Sequence, residues 1–354
     1  MKRFFILIGL AITTITGFSQ TDSEKQEAYD KAKQAIELMD NGDYDKSIKL
    51  LEESAKLDPS NCIYPYEIGY ALILKKKYKK ATEYFEKAVK MDGINDQCFQ
   101  MLGNAYSMGG DTEKAIDAYN RGLKIYPNSG RLYLEIGNVH QHDWNKALEY
   151  YEQGVRVDPT FPSNYYWLTK IFCNSTEEMW GMLYGEMFMN IERGSKRTEE
   201  ISKLLFDTYK NEIQFTSDTS MTVSFCQNHV FYADDKKTSL PFSMVYEPGL
   251  MFAITMSDSI TLESLNKIRT EHINFYFDKK FNKSHPNIVF NWHRTLIKDE
   301  NFECYNYWLL MQGAPDEFNV WYDSNKERFD SFINWFSENP MLIDDKNTFH
   351  RFDY

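Results

Sequence analysis

Small and large apolar positions recur along the first half of the chain at a fixed interval of about 34 residues. Gly69, Gly103 and Gly137 form one such series, and Ser47, Ala81 and Ala115 another. Leu51, Phe85 and Tyr119 form a third, Ser54, Ala88 and Gly122 a fourth, and Pro59, Gly93 and Pro127 mark the boundaries. A period of this length signals stacked structural units, each too small to bury its own apolar face. Within each unit two helical stretches, A and B, are separated by turn residues such as Asn41-Gly42-Asp43 and Gly109-Gly110-Asp111, where glycine accepts a positive φ. Pro59, Pro127 and Pro159 cannot continue helix B and end it. Small residues on A (Gly69, Gly103, Gly137) and on B (Ala81, Ala115, Ala147) let the two backbones approach.

The units predicted are 26–60, 61–95, 96–129 and 130–161. The fourth is shorter: the steps from Ala115 to Ala147 and from Pro127 to Pro159 both fall two positions short of a full period, while Gly137 keeps full register. The deletion therefore lies between Gly137 and Trp144, and 138–143 reads as a truncated helix end and tight turn. A degenerate fifth unit follows. Tyr165, Leu168, Thr169 and Phe172 imitate helix A, and Ser175 with Glu178 reads as a capping box opening helix B. Gly181 and Gly185, four apart, leave room for another helix. After the charged break Arg193-Gly194-Ser195-Lys196-Arg197, a capping helix is expected at about 196–211.

The pairs Ile68-Gly69 with Leu72 and Leu102-Gly103 with Tyr106 resemble the tetratricopeptide repeat. So do the tails Lys56-Leu57-Asp58-Pro59 and Arg156-Val157-Asp158-Pro159. The resemblance covers about residues 26–191. It implies an α-solenoid of antiparallel helix pairs over 26–211, whose A helices line a concave groove that binds a peptide or protein segment. By register the groove would include Tyr29, Tyr66, Tyr70, Gln97, Gln100, Asn104, Arg131 and Asn138. Tyrosine gives broad contact at modest entropic cost, and asparagine can pair with both edges of a backbone amide. A branch of the family clamps C-terminal carboxylates with Lys and Arg; Gln97 and Gln100 at the corresponding positions do not favour that use here.

From about residue 212 the periodicity changes. Met221, Val223 and Phe225 alternate with Thr222, Ser224 and Cys226. Val230-Phe231-Tyr232, Phe242 to Tyr246 and Leu250 to Met256 are further short apolar runs, so three or four antiparallel strands are expected. Helical spacing returns at about 261–282, 286–299, 301–311 and 315–338. The fold class expected is mainly α: a solenoid, then an α+β domain over 212–354 with a small antiparallel sheet.

Residues 1–19 read as a cleaved signal peptide. Lys2 and Arg3 precede an apolar stretch from Phe4 to Ile15, and Gly17 and Ser19 supply small residues before Gln20. The stretch is short for a membrane span. The first cysteine is Cys62, so no lipoprotein cysteine follows the cleavage point. An exported protein results, expected in the periplasm or envelope of a Gram-negative bacterium, with an envelope polypeptide as partner and no membrane insertion of the mature chain.

Of 354 residues, 40 are Lys or Arg and 52 Asp or Glu, a net charge of −12. That balance disfavours nucleic acid as a partner. Cys62, Cys98, Cys173, Cys226 and Cys304 are odd in number and form no CxxC pair, so packed thiols are expected, with one disulfide left open. His140, His142 and Asp143 lack the companions of a metal site, and the run Lys75 to Lys80 reads as a solvated face. No nucleophile elbow, paired catalytic carboxylates or phosphate loop is present, so neither catalytic residue nor cofactor is expected. The aromatic share, 16%, is high. Trp292, Tyr305, Tyr307, Trp308, Trp321, Tyr322, Trp335 and Phe336 read as core, with sugar-stacking platforms for a glycan-binding protein as the alternative. A cleft holding carboxylate, His or Cys side chains would instead favour an enzyme.

Overall fold

The computed structural model describes residues 22–217, 220–227, 240–254, 259–344 and 346–354. The expected leader and Val230-Phe231-Tyr232 lie outside them. The chain forms two compact units, one up to Ala118 and one from Tyr119 to Tyr354.

The first unit consists of α1 (Asp22–Asp40), α2 (Tyr44–Leu57), α3 (Ile63–Leu74), α4 (Tyr78–Ala88) and α5 (Asp96–Met108), with the division falling inside α6 (Thr112–Ile125). Helices α1 and α2 pack as one antiparallel pair and α3 and α4 as the next. The small residues expected at the crossings are there: Ser47 and Ala81 are fully buried. A Cβ placed on Gly69 would lie 2.9 Å from the Phe85 ring, which is why this position takes no side chain. Gly42 and Gly110 adopt φ of +83° and +86° in their turns. Lys76, midway between them in the repeat register, holds φ +57° and closes the equivalent turn without glycine.

The second unit opens with two hairpins, α7 (Gly130–Val139) with α8 (Trp144–Val157) and α9 (Pro162–Phe172) with α10 (Glu178–Ile191). Helix α7 stops at Val139, two residues past Gly137, so the deletion shortens the helix end as expected. Gly137 is pressed against Tyr151, whose ring would stand 2.4 Å from an added Cβ. The expected capping box at Ser175 is a correction. Its Oγ accepts from the Glu177 backbone N–H at 3.0 Å and donates to the Phe172 carbonyl, forming a local turn, and α10 begins only at Glu178. Helix α11 (Lys196–Glu212) does carry a capping box, from Ser195 and Thr198, and Leu205 fills the space left by Gly185.

Beyond α11 the strand expectation is only partly met. Strands β1 (Ile213–Ser217) and β2 (Ser220–Val223) pair antiparallel, with Ile213 opposite Val223 and Phe215 opposite Met221. The runs at 242–246 and 250–254 are not strands but one helix, α12 (Ser243–Ile254). Phe242, Val245, Tyr246, Leu250 and Ala253 are buried while Met244, Met251 and Phe252 are exposed, a helical stripe. Apolar residues on both sides of that segment conceal its period in the sequence. Then come α13 (Leu262–Asp278), the short α14 (Phe281–Ser284), α15 (Ile288–Lys298), α16 (Phe302–Leu310) and α17 (Pro315–Glu338), the last kinked at Asn325.

One apolar cluster runs from Leu134 to Phe349, so the boundary expected at 211/212 falls within continuous packing. Tyr151, Tyr165, Tyr184, Tyr246, Tyr276 and Tyr305 are all fully buried, which accounts for much of the aromatic richness. The C-terminal tail is tied into the same core. Phe349 stacks on Tyr184 at 5.0 Å, Arg351 pairs with the buried Glu152, and Tyr354 donates to the Pro286 carbonyl at 2.7 Å.

Candidate functional site

The positions expected to line a binding surface sit on A helices. In the first unit Tyr29 on α1 is 43% exposed, and Tyr66 and Tyr70 stand one turn apart on α3. Gln97, Gln100 and Asn104 share a face of α5, being three and four residues apart. Helix α3 touches α5, and Gln100 and Asn104 follow Tyr66 and Tyr70 by one full period, so equivalent places on adjacent helices carry an aromatic and an amide. Tyr66 and Tyr70 are half-buried, as are the three α5 residues; Tyr66 also packs edge-on against Phe85 at 5.7 Å. Ile63 belongs with them and was not anticipated. It is 42% exposed and lies one period from both Tyr29 and Gln97, so the register alone could have found it.

Arg131 and Asn138 lie on α7 of the second unit. The Arg131 guanidinium covers the Phe161 ring at 5.9 Å. The Asn138 carboxamide is engaged at both ends: Oδ1 accepts from the Tyr151 hydroxyl at 3.0 Å, and Nδ2 donates to Glu135 at 3.3 Å. One hairpin further, past the shortened unit, the places on α9 equivalent to Arg131, Leu134 and Asn138 are Ser163, Tyr166 and Lys170. Helix α11 occupies all three. Arg197 donates to Ser163 Oγ at 3.0 Å, and both Tyr166 and Lys170 donate to Glu200 at 2.6 Å.

Residues 32–94 and 97–129 each match a family model described as the tetratricopeptide repeat. Residues 32–129 are a tetratricopeptide-repeat segment. Such repeats are scaffolds for protein–protein interaction, and the segment provides one here. Bovine BBSome complex member BBS4 is 29% identical over 126 residues, which is 34% of this chain and 23% of that protein. The general transcriptional corepressor trfA of Dictyostelium discoideum is 27% identical over 124 residues, 34% of this chain and 9% of its own length. The chain thus spans less than a quarter of either relative. The solved structure of pilF from Pseudomonas aeruginosa gives a TM-score of 0.44 at 17% identity, covering 54% of this chain and 86% of that one.

Outside the tetratricopeptide segment, the second unit holds a buried polar cluster that the sequence reading missed. Glu186 on α10 accepts two bonds from Arg269 on α13, at 2.8 and 2.9 Å. His293 Nε2 lies 2.6 Å from its Oε2, and the Tyr305 hydroxyl donates to the same oxygen at 3.0 Å. Arg269 also donates to the Tyr209 hydroxyl and to Asn306 Oδ1, at 2.8 and 2.7 Å. Burial alone would raise the Glu186 pKa, but Arg269 and His293 overcome it and hold the carboxyl well below its usual range. Burial lowers the His293 pKa, against the opposing pull of the Glu186 carboxylate. His272 nearby is pushed down to about 3, chiefly by burial. The warning was legible: Glu186 stands in a helix buried on every side from Glu178 to Asn190, where a carboxylate requires a cation. Its partner, far along the chain on α13, was not. The adjoining void is about 10 Å³, room for one water at most.

The remaining candidates resolve simply. His140 stacks on Tyr150 at 5.6 Å, and Asp143 caps α8. Among the described residues no His, Cys, Asp and Glu side chains gather as a metal site. The five cysteines are thiols rather than disulfides. Tyr305, Tyr307, Trp308 and Phe336 are buried in the core, and Trp321 lies on Tyr307 at 4.0 Å with its N–H donating to Glu303. Those five are not free sugar platforms. No helix among the described residues is long and apolar enough to cross a membrane.

Proposed function

We propose that the protein is an exported, non-catalytic scaffold whose A helices hold an extended segment of another polypeptide, an envelope protein of a Gram-negative cell. The observation that carries this reading is the alignment of Tyr66 and Tyr70 on α3 with Gln100 and Asn104 on the adjacent α5. Aromatic rings beside carboxamides supply apolar contact and backbone-directed hydrogen bonds without charge, which suits a neutral extended peptide. Tyr29 and Ile63, each exposed over less than half its surface, extend the apolar part. Export rests on the leader-like residues 1–19, and processing would leave Gln20 as the first residue. Asn138 contributes less, since its carboxamide is held by Tyr151 and Glu135.

The test is affinity capture from envelope extracts with wild type and with the Tyr66→Ala/Tyr70→Ala/Asn104→Ala triple variant. The reading expects specific partners lost by the variant while its circular dichroism is retained; identical partners would remove these residues from the binding surface. N-terminal sequencing of protein from the periplasmic fraction tests export, which fails if Met1 is retained in the cytoplasm.

A further inference from the structure

An open groove of about 690 Å³ lies between the first turn of α13 and the first half of α17, within the size range of small-ligand sites. Three carboxylates line it, Glu263 from α13 and Asp316 and Glu317 from α17, and no Lys, Arg or His side chain does. The starts of the two helices add about half a positive unit each, less than the charge of the acids around them. Glu317 accepts from the Leu262 N–H at 2.7 Å. Glu263 holds Lys267 in an exposed pair, a weak contact that a ligand cation can replace. Asp316 is exposed, and its carboxylate makes no hydrogen bond or ion pair among the described residues.

The acids alone do not define a site; Tyr307 on α16 adds the second observation. It is 5% exposed and stacked on Trp321 at 4.0 Å, yet it lines the groove, and its hydroxyl has no hydrogen-bond partner among the described residues. Burial, with the Glu303, Glu263 and Glu317 carboxylates nearby, pushes its pKa up to about 12. The side-chain N–H groups beside it are engaged. Trp321 donates to Glu303 at 3.0 Å, and Asn325, at the kink of α17, donates to the Trp321 carbonyl at 2.9 Å. What the lining side chains have left is mainly capacity to accept.

That inventory narrows the ligand. A peptide backbone brings as many acceptors as donors, and these side chains offer its acceptors little. A metal ion needs converging ligands, and no three His, Cys, Asp or Glu side chains among the described residues are placed to hold one. Positive donors strung along an apolar chain match better, since Val320, 73% exposed, and Trp321 give the groove apolar surface beside its acids. We propose that this groove binds an aliphatic polyamine. Its ammonium groups meet Glu263, Asp316 and the Tyr307 hydroxyl oxygen, and its methylene chain lies along Val320 and Trp321.

Titration calorimetry on the full chain at about 0.15 M salt tests this with spermidine, against magnesium ion and an acetylated, amidated Lys-Gly-Lys peptide. Spermidine should bind with a dissociation constant below about 1 mM, at least about tenfold more tightly than the ion or the peptide. Glu263→Gln/Asp316→Asn should weaken it at least about tenfold. Glu37→Gln/Asp40→Asn, which removes the same charge from exposed places on α1, should leave it unchanged. Tyr307→Phe keeps the ring and removes a hydroxyl that bonds nothing in the fold, so binding should weaken about threefold to tenfold at an unchanged melting temperature. Spermidine binding weaker than about 1 mM, a smaller margin over magnesium or the peptide, unchanged affinity in either groove variant, or an equal loss in the α1 control would each overturn the proposal.

Discussion

Glu186 and Arg269 meet through both carboxylate oxygens and both terminal guanidinium nitrogens, and neither side chain is more than 4% exposed. The pair joins α10, the last helix of the hairpin series, to α13 of the C-terminal half. Removing one member strands the other charge in a dry interior, at a cost of about 3–5 kcal/mol. Arg269→Met should therefore lower the urea-unfolding free energy by about that much. Glu186→Leu/Arg269→Met, which leaves no orphan charge, should recover a large part of it. A single-variant loss below about 1 kcal/mol would mean that water reaches the pair.

Glu178 should impose a pH dependence of its own. Burial, with Glu212 and Glu247 nearby, raises its pKa from 4.5 to about 7. Between those values the folded chain keeps a proton that the unfolded chain has lost, so this contribution falls as pH rises from 4.5 to 7 and stays flat above. Glu178→Gln should stabilise the protein by about 2 kcal/mol at pH 8 and change little near pH 4. Denaturation curves at the two pH values should separate; parallel curves would show that the carboxyl ionises normally in the fold.

Lys76 occupies a left-handed conformation that its register partners Gly42 and Gly110 fill with glycine. Its strain is about 1–2 kcal/mol, offset partly by the greater unfolded freedom of glycine. Lys76→Gly should raise stability by about 0.5–1 kcal/mol. A drop in melting temperature would contradict this.

Gly69 and Gly137 do the same work at different clearances. An added methyl meets Phe85 at 2.9 Å in the first case and Tyr151 at 2.4 Å in the second, where the ring is also fixed by its bond to Asn138. Alanine gains about 1 kcal/mol of helix propensity at either place. Overpacking costs about 1–3 kcal/mol, with the higher end expected where the ring cannot yield. Gly137→Ala should consequently be the more damaging, by about 1–2 kcal/mol in chemical denaturation. The reverse order would sink the argument from clearance.

How far the sequence could be read depended on whether an element announced its own periodicity. The hairpins did, because the places of Gly69, Ala81 and Phe85 recur at one interval, the first two always small and the third always large and apolar. Helices α13, α15 and α17 did, through apolar stripes on otherwise polar surfaces. Helix α12 did not: Met244, Met251 and Phe252 are apolar on its exposed side, so the contrast that reveals a helical period is missing. The repeat register was legible, which is how Tyr70 and Asn104 come to be equivalent, but local bonds along it were not. Nothing near Asn138 in sequence shows that Tyr151 holds it. The Glu186 cluster was least accessible, since its members come from α10, α11, α13, α15 and α16, and only the fold brings them together.

The seat taken by α11 on Ser163, Tyr166 and Lys170 bears on how such a chain can lengthen over evolutionary time. Duplicating a hairpin ahead of α9 copies a module whose neighbours are already of its own kind. Adding one after α10 would require evicting Arg197 and Glu200 and rebuilding the contacts of Glu186 on the same helix. New modules should therefore accumulate upstream in relatives of different length, while the junction between α10 and α11 keeps its spacing.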